Sequence, residues 1–355
     1  MKVKIADRLI GEGEPCFIIA EAGVNHSGNV NLAKKLIDGA KSTEADAIKF
    51  QTFKAENVVI SSAEKADYQK QTTGGEESQF EMIKRLELAG RDFVELSAYA
   101  HKKGIVFLSS PFDRESVDLL DELNVPAFKI PSGEITNFPL LKHIARKKKP
   151  IILSTGMSTL GEIEDALEVI RKEKAKEIVL LHCVTAYPAK VEEVNLRVIE
   201  TLRREFKLPV GLSDHTLGIT IPIAAVALGA CVIEKHFTMD KNLPGPDHQA
   251  SLELQELTQM VKAIRQVEKA MGDGNKAPTE EEKQIQTVAR RSIVAGVNIP
   301  KGTIITEVML RIKRPGTGIK PEYLQNVCGA TTKVSIKRDE LIRWEDLIES
   351  IYIRK

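Results

Sequence analysis

Two short stretches, "VGLSDH" and "CVIEKHF", begin apolar and finish on or beside an imidazole, His215 and His236. A buried strand has no structural need for such an ending, so the chemistry these rings could do comes first. Neutral imidazole is a common ligand for borderline divalent metals. Two histidines, with a carboxylate near them, leave coordination positions for water and substrate, as a Lewis-acid site requires. For either histidine alone, service as a core or supporting residue stays open. The pair at the ends of successive strands favours the metal.

Cations and hydroxyls occupy comparable places. Lys49 and Lys129 lie inside the apolar runs "AIKFQTF" and "AFKIPSGE", where an uncompensated ammonium is costly to bury. Lys49 and Gln51 are two apart and share one side of their strand, with Phe50 on the other. Ser132, Ser154 and Ser213 supply short donors at further run ends. Two ammonium groups ringed by hydroxyls and amides make a cradle for a phosphate or carboxylate. The alternative is that the lysines pair with Glu21, Glu134 or Glu234 and only neutralise an interior. Glu21, Glu134 and Asp247 could bind sugar hydroxyls or move protons.

The elements that must position these residues are legible as an alternation. Eight short apolar runs, "FIIAEAG", "AIKFQTF", "VFLSSPF", "AFKIPSGE", "IILSTG", "IVLLHCV", "VGLSDH" and "CVIEKHF", alternate with segments of three- and four-residue apolar spacing such as "NLAKKLIDGAKS" and "LGEIEDALEVIRKEK". Strand and helix in turn imply parallel pairing. Eight units within about 250 residues predict a closed (β/α)8 TIM barrel, an α/β fold. An open doubly wound sheet is the alternative, but no G-x-G-x-x-G follows the first run. In a barrel the C-terminal strand ends form the active-site face. The polar run endings are Glu21, Asn25 and His26; Lys49 and Gln51; Ser109 and Ser110; Lys129, Ser132 and Glu134; Ser154 and Thr155; His182, Thr185 and Tyr187; Ser213, Asp214 and His215; Glu234 and His236. All are expected to converge on one pocket.

Composition narrows the function classes. The chain has 355 residues, 42% hydrophobic and 28% charged, with a formal net charge of +1. That is ordinary for a globular protein and argues against nucleic-acid binding by bulk electrostatics. Four scattered cysteines include no C-x-x-C pair, so neither a disulfide framework nor a cysteine zinc site is expected. The first residues lack an apolar signal core, and no run approaches a membrane span. A cytoplasmic protein without membrane contact is expected.

The segments "AEAGVNHSGN", "AIKFQTFKAE", "FLSSPFD", "FKIPSGEITNFPLL", "IILSTGMSTLGEI", "LLHCVTAYPA", "GLSDHTLGI", "VALGACVIEKHFT" and "LPGPDHQASL" together resemble the sialic acid synthase family. "RRSIVAGVNIPKGTIITEVMLRIKRPGTGI" resembles that family's antifreeze-like (β-clip type) domain. The resemblance runs through essentially the whole chain. It implies a barrel that condenses phosphoenolpyruvate with an N-acyl mannose-type sugar, giving a nine-carbon 2-keto acid and phosphate with C–O cleavage. It further implies Mn²⁺ or Mg²⁺ on His215 and His236, polarising the open-chain aldehyde. Positions matching Lys49, Lys129, Ser132, Ser154 and Ser213 bind phosphoenolpyruvate in the family. Thr185 stands where some sialate-forming members carry Asn as a phosphate contact. Glu21 matches the acid assigned to the water proton. Gln51, Glu134, Tyr187 and Asp247 match the sugar pocket.

The "IPSGE" of residues 130–134 resembles the sialate and legionaminate branches rather than the pseudaminate one. The reading leans to N-acetylmannosamine and N-acetylneuraminate; N,N'-diacetyllegionaminate from 2,4-diacetamido-2,4,6-trideoxymannose is the alternative. The expected organisation is a barrel over 1–274, a linker over 275–290 with a short helical piece, and the antifreeze-like module over 291–355. On composition, Lys313 and Arg314 before Pro315 read as a solvated loop. The resemblance instead implies a domain-swapped homodimer in which Arg314 reaches the partner's barrel and binds the sugar's N-acyl carbonyl. Two other readings compete. A phosphoenolpyruvate-using barrel acting on a phosphorylated aldose would lack the "RPGTGI" module. An ice- or carbohydrate-binding protein would leave the barrel residues unexplained and would not carry the dense charge of "KVSIKRDELIRWEDL".

Overall fold

The computed structural model describes residues 1–348, which fall into two compact units, Met1–Gly272 and the segment from Asp273 onward. Positions 349–355 of the expected C-terminal module lie outside the described residues. The first unit is built on β1 (Phe17–Gly23), β2 (Ala47–Thr52), β3 (Val106–Pro111), β4 (Phe128–Ile130), β5 (Ile151–Ser154), β6 (Ile178–Cys183), β7 (Val210–Asp214) and β8 (Val232–His236). These form one eight-stranded sheet in the order β3-β2-β1-β8-β7-β6-β5-β4. Every recorded pairing is parallel, and the last strand closes on the first, with Val232 opposite Phe17 and His236 opposite Glu21. The expected TIM barrel is the observed fold.

The helices between strands are α1 (Val30–Ser42), α2 (Gly90–Lys103), α3 (Arg114–Glu122), α4 (Phe138–Arg146), α5 (Leu160–Lys172), α6 (Val198–Phe206), α7 (Thr220–Ala227) and α8 (Leu254–Met271). Their starts are written locally. The Asn29 side chain accepts from the amides of Asn31 and Leu32 at the head of α1. Thr159 and Glu162 cap α5 reciprocally. One expected run is shortened: Pro131 has no amide proton to continue the ladder, so β4 stops at Ile130 and a 3-10 turn, Ser132–Glu134, follows. Between β2 and α2 the chain makes a long excursion with short helices over Ala55–Val58, Asp67–Thr73 and Gln79–Leu86.

Two-residue alternation sorts the strand side chains. Ile18, Ile48, Phe50, Leu180 and Leu212 face the helices and join the large outer core. Phe17, Ile19, Ala47, Leu108, Ile152 and Leu181 face inward and fill the barrel's lower half. An antiparallel N-terminal hairpin, Lys2–Ile5 with Arg8–Gly11, adds Val3, Ile5 and Ile10 to that inner cluster. The barrel is thus stoppered with hydrocarbon from below. Each such fully buried aliphatic or aromatic side chain contributes roughly 1.5–3 kcal/mol by transfer from water. The polar groups above this floor sit in a poorly solvated cup.

The second unit begins with a helix over Glu280–Ala289, inside the segment expected to be a linker. The amide of Gly316 donates to the carbonyl of Thr287 at 2.9 Å, tying that helix to the Arg-Pro-Gly loop. Antiparallel pairs Ser292–Ala295 with Leu310–Lys313, and Thr331–Thr332 with Leu347–Ile348, enclose a small core of Ile293, Ile299, Ile305, Val327, Ile336 and Ile342. No helix among the described residues is long and apolar enough to cross a membrane.

Candidate active site

A cavity of about 430 Å³ opens at the C-terminal ends of the barrel strands. Inward parity brings Glu21, Lys49, Gln51, Ser110, Lys129, Ser154, Cys183, Ser213, Glu234 and His236 to its wall. The loops after the strands add Ser132, Glu134, Thr185, Tyr187, His215 and Asp247. The barrel residues given metal, phosphoenolpyruvate, sugar or proton roles by the resemblance therefore line one cup.

Its floor is a buried charge network. Lys49 Nζ lies 2.5 Å from Glu21 Oε2 and 3.7 Å from Glu234 Oε2. Lys129 Nζ lies 3.0 Å from Glu234 Oε1. Lys49 also donates to Ser110 Oγ at 2.9 Å, and Ser213 Oγ donates to Glu234 Oε1 at 2.9 Å. Burial pushes the Glu21 carboxyl up to about 7, beyond what Lys49 offsets. Burial also acts to raise Glu234, but Lys129 and Lys49 outweigh it and hold that carboxyl down at about 2. Lys49 is raised, its two carboxylates overcoming burial, whereas burial lowers Lys129. The two cations thus share one firmly ionised carboxylate, while Glu21 titrates near neutrality.

The cup keeps polar atoms in reserve. Ser154 Oγ, Glu234 Oε2 and His236 Nδ1 are buried without a hydrogen-bond partner among the described residues. Such groups are expensive unless a ligand completes them. Beside Ser154, the Gly156 amide donates to Ser132 Oγ at 2.9 Å. A Cβ at Gly156 would fall 2.2 Å from Thr185 Oγ1 and 2.8 Å from Ser132 Oγ, so only glycine leaves this hydroxyl cluster intact. Gly23, at φ +52, is similar: a Cβ there would press between Glu21, Gln51 and His236.

The His215 and His236 rings lie 5.5 Å apart, centroid to centroid. His215 Nδ1 donates to the Val184 carbonyl at 2.7 Å, which leaves its Nε2 as a free lone pair. Burial holds His236 neutral, well below the ordinary histidine value. Among the described residues no group of three or more His, Cys, Asp or Glu could hold a metal. Burial acts to lower His215, but Cys183 and the Val184 carbonyl outweigh it and raise that imidazole above its ordinary value. The pair supplies two imidazole nitrogens, which fits a divalent ion that keeps most of its shell for oxygen ligands. The Tyr187 ring lies 4.1 Å from His215, centroid to centroid, tilted at 36°. Asp247 is pushed up to about 6 by burial, and burial also raises Glu134, against the Asn137 amide that donates to it at 2.7 Å.

Other polar strand ends do not share the cup, which corrects the expectation that all converge. Ser109, His182 and Asp214 are one residue out of phase with Ser110, Cys183 and Ser213, so they face the helices. Ser109 bonds Thr52 Oγ1 at 2.7 Å, and His182 Nε2 donates to the Val194 carbonyl at 2.6 Å. Asp214 pairs with Lys235. Thr155 donates to the Leu181 carbonyl at 3.0 Å. Asn25 donates to the Phe237 carbonyl and Ser251 Oγ, and His26 Nδ1 accepts from the Gly28 amide. Arg314 belongs to the second unit, where it is exposed and donates through Nε to the Ala289 carbonyl at 3.0 Å. Ser110 and Glu234, expected among the converging run ends, do line the cup, and Cys183, which was not expected there, joins them by the alternation of its run. Tyr68, Gln69 and Gln79 also line it from the β2–α2 excursion, where no periodicity announces them.

Residues 36–276 match the NeuB family model, and residues 290–348 match the SAF domain. The chain is 56% identical to an N,N'-diacetyllegionaminic acid synthase of Campylobacter jejuni, over 92% of this chain and 98% of the relative. It is 48% identical to the Legionella pneumophila protein of the same description, over 95% of this chain and 96% of that one. A crystal structure of the N-acetylneuraminic acid (sialic acid) synthetase of Leptospira borgpetersenii, in complex with citrate, matches with a TM-score of 0.71 and 36% identity. It covers 80% of this chain and 95% of that one. With the family model spanning well over half of its length, and relatives this similar from end to end, the chain belongs to the NeuB family of sialic acid synthases.

Proposed function

We propose that this synthase condenses phosphoenolpyruvate with 2,4-diacetamido-2,4,6-trideoxymannose and water, giving N,N'-diacetyllegionaminate and phosphate. Phosphoenolpyruvate-dependent condensation follows from the family. The choice of sugar is supported by the 56% and 48% identities to relatives described as making that product. It is supported also by the apolar side chains Phe53, Met82, Leu86 and Phe112 along the cup, which suit a 6-deoxy carbon. N-acetylmannosamine is the second reading, favoured by the solved sialic acid synthetase.

The observation that carries the proposal is the cationic pair sharing Glu234 in the same cup as two imidazoles whose centroids lie 5.5 Å apart. Lys49 and Lys129 hold the anionic groups of phosphoenolpyruvate, with Ser132, Ser154, Thr185 and Ser213 as hydroxyl partners. His215 and His236 hold Mn²⁺ or Mg²⁺, which when bound supplies Lewis acidity to the sugar aldehyde. Gln51, Glu134, Tyr187 and Asp247 orient the open-chain sugar so that its C1 faces C3 of phosphoenolpyruvate. The new bond forms between those carbons as the C2=C3 and C1=O π bonds open; the aldehyde oxygen takes a proton and becomes a hydroxyl, and C2, next to Glu21, takes cationic character. With its carboxyl near 7, Glu21 accepts the proton of the water that adds there. The tetrahedral carbon then expels phosphate by C–O cleavage, leaving the 2-keto acid. The second unit completes the site across a domain-swapped homodimer, with Arg314 of one protomer bound to the N-acyl carbonyl in the other.

The test is direct. The protein is incubated with phosphoenolpyruvate, Mn²⁺ and each sugar in turn, and phosphate and keto acid are measured. The diacetamido sugar is expected to give the higher kcat/KM, and EDTA to abolish turnover. No phosphate with either sugar would sink the proposal.

A further inference from the structure

The cup is lined asymmetrically. Three aromatic rings form a ladder from its histidines toward its mouth: His215, then Tyr187 at 4.1 Å, then Tyr68 at 5.2 Å and nearly parallel to Tyr187. A linear sugar whose C1 lies at His215 has its middle carbons beside Tyr187 and its far end beside Tyr68. Tyr68 comes from the β2–α2 excursion, together with two primary amides that line the same cavity, Gln69 and Gln79.

Hydrogen bonds orient these amides. Gln69 Oε1 accepts from the Ala66 amide at 3.0 Å and from Gln79 Nε2 at 3.5 Å. Gln69 Nε2 donates to Tyr68 OH at 3.3 Å. Each amide therefore retains capacity: Gln69 a second N–H donor, and Gln79 its carbonyl as an acceptor. One donor and one acceptor side by side complement the carbonyl and N–H of an N-acyl group. Beneath them Phe53, Met82 and Leu86 make a shelf with nothing polar to offer a hydroxyl.

Resting on the reading of this chain as a phosphoenolpyruvate–sugar synthase, we propose that Tyr68, Gln69 and Gln79 read the distal end of the acceptor. Gln69 and Gln79 bracket an N-acyl group at C4, the Tyr68 face covers its methyl, and the Phe53–Met82–Leu86 shelf takes a 6-deoxy carbon. The residues at Lys49, Lys129, His215 and His236 do the chemistry and are indifferent to C4. Discrimination among acceptor sugars then lives in the excursion rather than in the barrel.

The experiment measures steady-state kcat/KM for the diacetamido sugar and for N-acetylmannosamine, with phosphoenolpyruvate and Mn²⁺ saturating. The full-length wild type is compared with Gln69→Leu, Gln79→Leu, Tyr68→Leu and the conservative Gln79→Glu, which keeps an acceptor. Gln69→Leu and Gln79→Leu are expected to lose about tenfold or more with the diacetamido sugar, since each leaves one polar group of the acyl unit unpaired. With N-acetylmannosamine they should change by less than about threefold. Gln79→Glu should keep more of the preference than Gln79→Leu. If wild type prefers N-acetylmannosamine, or if all variants lower both sugars equally, the assignment of the excursion is overturned while the synthase reading stands. If wild type releases no phosphate with either sugar, the synthase reading itself fails and takes the assignment with it. Thermal melts of each variant show whether a loss is one of folding; should the leucine variants not fold, the ratio between sugars for Gln79→Glu decides.

Discussion

Lys235 Nζ sits 2.5 Å from Asp214 Oδ2, both buried on the outer face of the barrel between β7 and β8. The two are register neighbours, and each directly precedes a histidine of the cup. Lys235 also donates to the Thr216 carbonyl, while Asp214 accepts from the Thr216 amide at 3.1 Å and hydroxyl at 3.0 Å. The pair thus clamps the loop that carries His215 to the strand that carries His236. The succession of acid, amine and imidazole in "EKH" resolves by parity: Glu234 and His236 point into the cup, and Lys235 points away to fasten it.

Replacing Lys235 by Met leaves the Asp214 carboxylate buried without its cation. Losing one partner of such a pair costs about 3–5 kcal/mol. The Tm of Lys235→Met should fall, and calorimetric titration with Mn²⁺ should show affinity lowered about tenfold or more, the range seen when supports of ligating histidines are removed. Asp214→Asn combined with Lys235→Met should recover part of the stability. Unchanged Mn²⁺ affinity in a folded Lys235→Met protein would show that the clamp does not position the histidines.

Glu234 tests the balance of charge beneath the substrate. In Glu234→Gln the ammonium groups of Lys49 and Lys129 keep only Glu21 as a carboxylate partner, and Glu21 ionises more readily once the charge of Glu234 no longer raises it. The free protein should lose about 3–5 kcal/mol of stability. Phosphoenolpyruvate brings back negative charge, so the rise in Tm on adding it should be larger in the variant than in wild type. Thermal melts with and without phosphoenolpyruvate measure this; an equal or smaller rise would mean that the anion does not sit between the two lysines.

How much of this was legible in the residues differs by element. The barrel was, because eight apolar runs separated by amphipathic segments admit few other closures. Site residues on strands were half legible. Run endings marked Ser109 and Ser110, or Ser213 and Asp214, as polar alike, and only the two-residue phase of each strand separates the inward member from the outward one. Counting that phase from Leu108 or Ile19, which must face the barrel interior, would have sorted them. Tyr68, Gln69 and Gln79 were not legible, since their excursion has no strand phase and reaches the cup only through tertiary packing. The helix at 280–289 was legible only as a short helical piece of a linker, because its face is charged, with no buried residue to give an apolar stripe.

Acid should weaken the fold through two histidines outside the chemistry. Burial, and then the neighbouring His248, lower His26 to about 4, and burial lowers His248 to about 4. In the unfolded chain both take up protons near pH 6.5. The unfolded state therefore binds protons first as pH falls, and stability present above 6.5 is lost progressively toward 4. For His26 the full effect is about 3 kcal/mol. Urea midpoints at pH 7.5, 6 and 5 should fall in step, and His26→Gln should flatten the slope. A slope unaltered by that substitution would remove His26 from the account.

The proposed sharing of sites between protomers predicts complementation. Arg314→Ala and His236→Ala chains should each be inactive or nearly so, one lacking its contribution to the N-acyl carbonyl and the other a metal ligand. A mixed homodimer in which one protomer keeps His236 and the other keeps Arg314 has one complete cup. Co-refolding the two variants in equal amounts yields statistically half heterodimers, each with one working site of two, so about a quarter of wild-type activity should return. The measurement is phosphate release after co-refolding, against each variant refolded alone. If activity stays at the level of the separate variants while gel filtration shows dimers, Arg314 acts within its own chain or not at all, and the swapped arrangement is wrong.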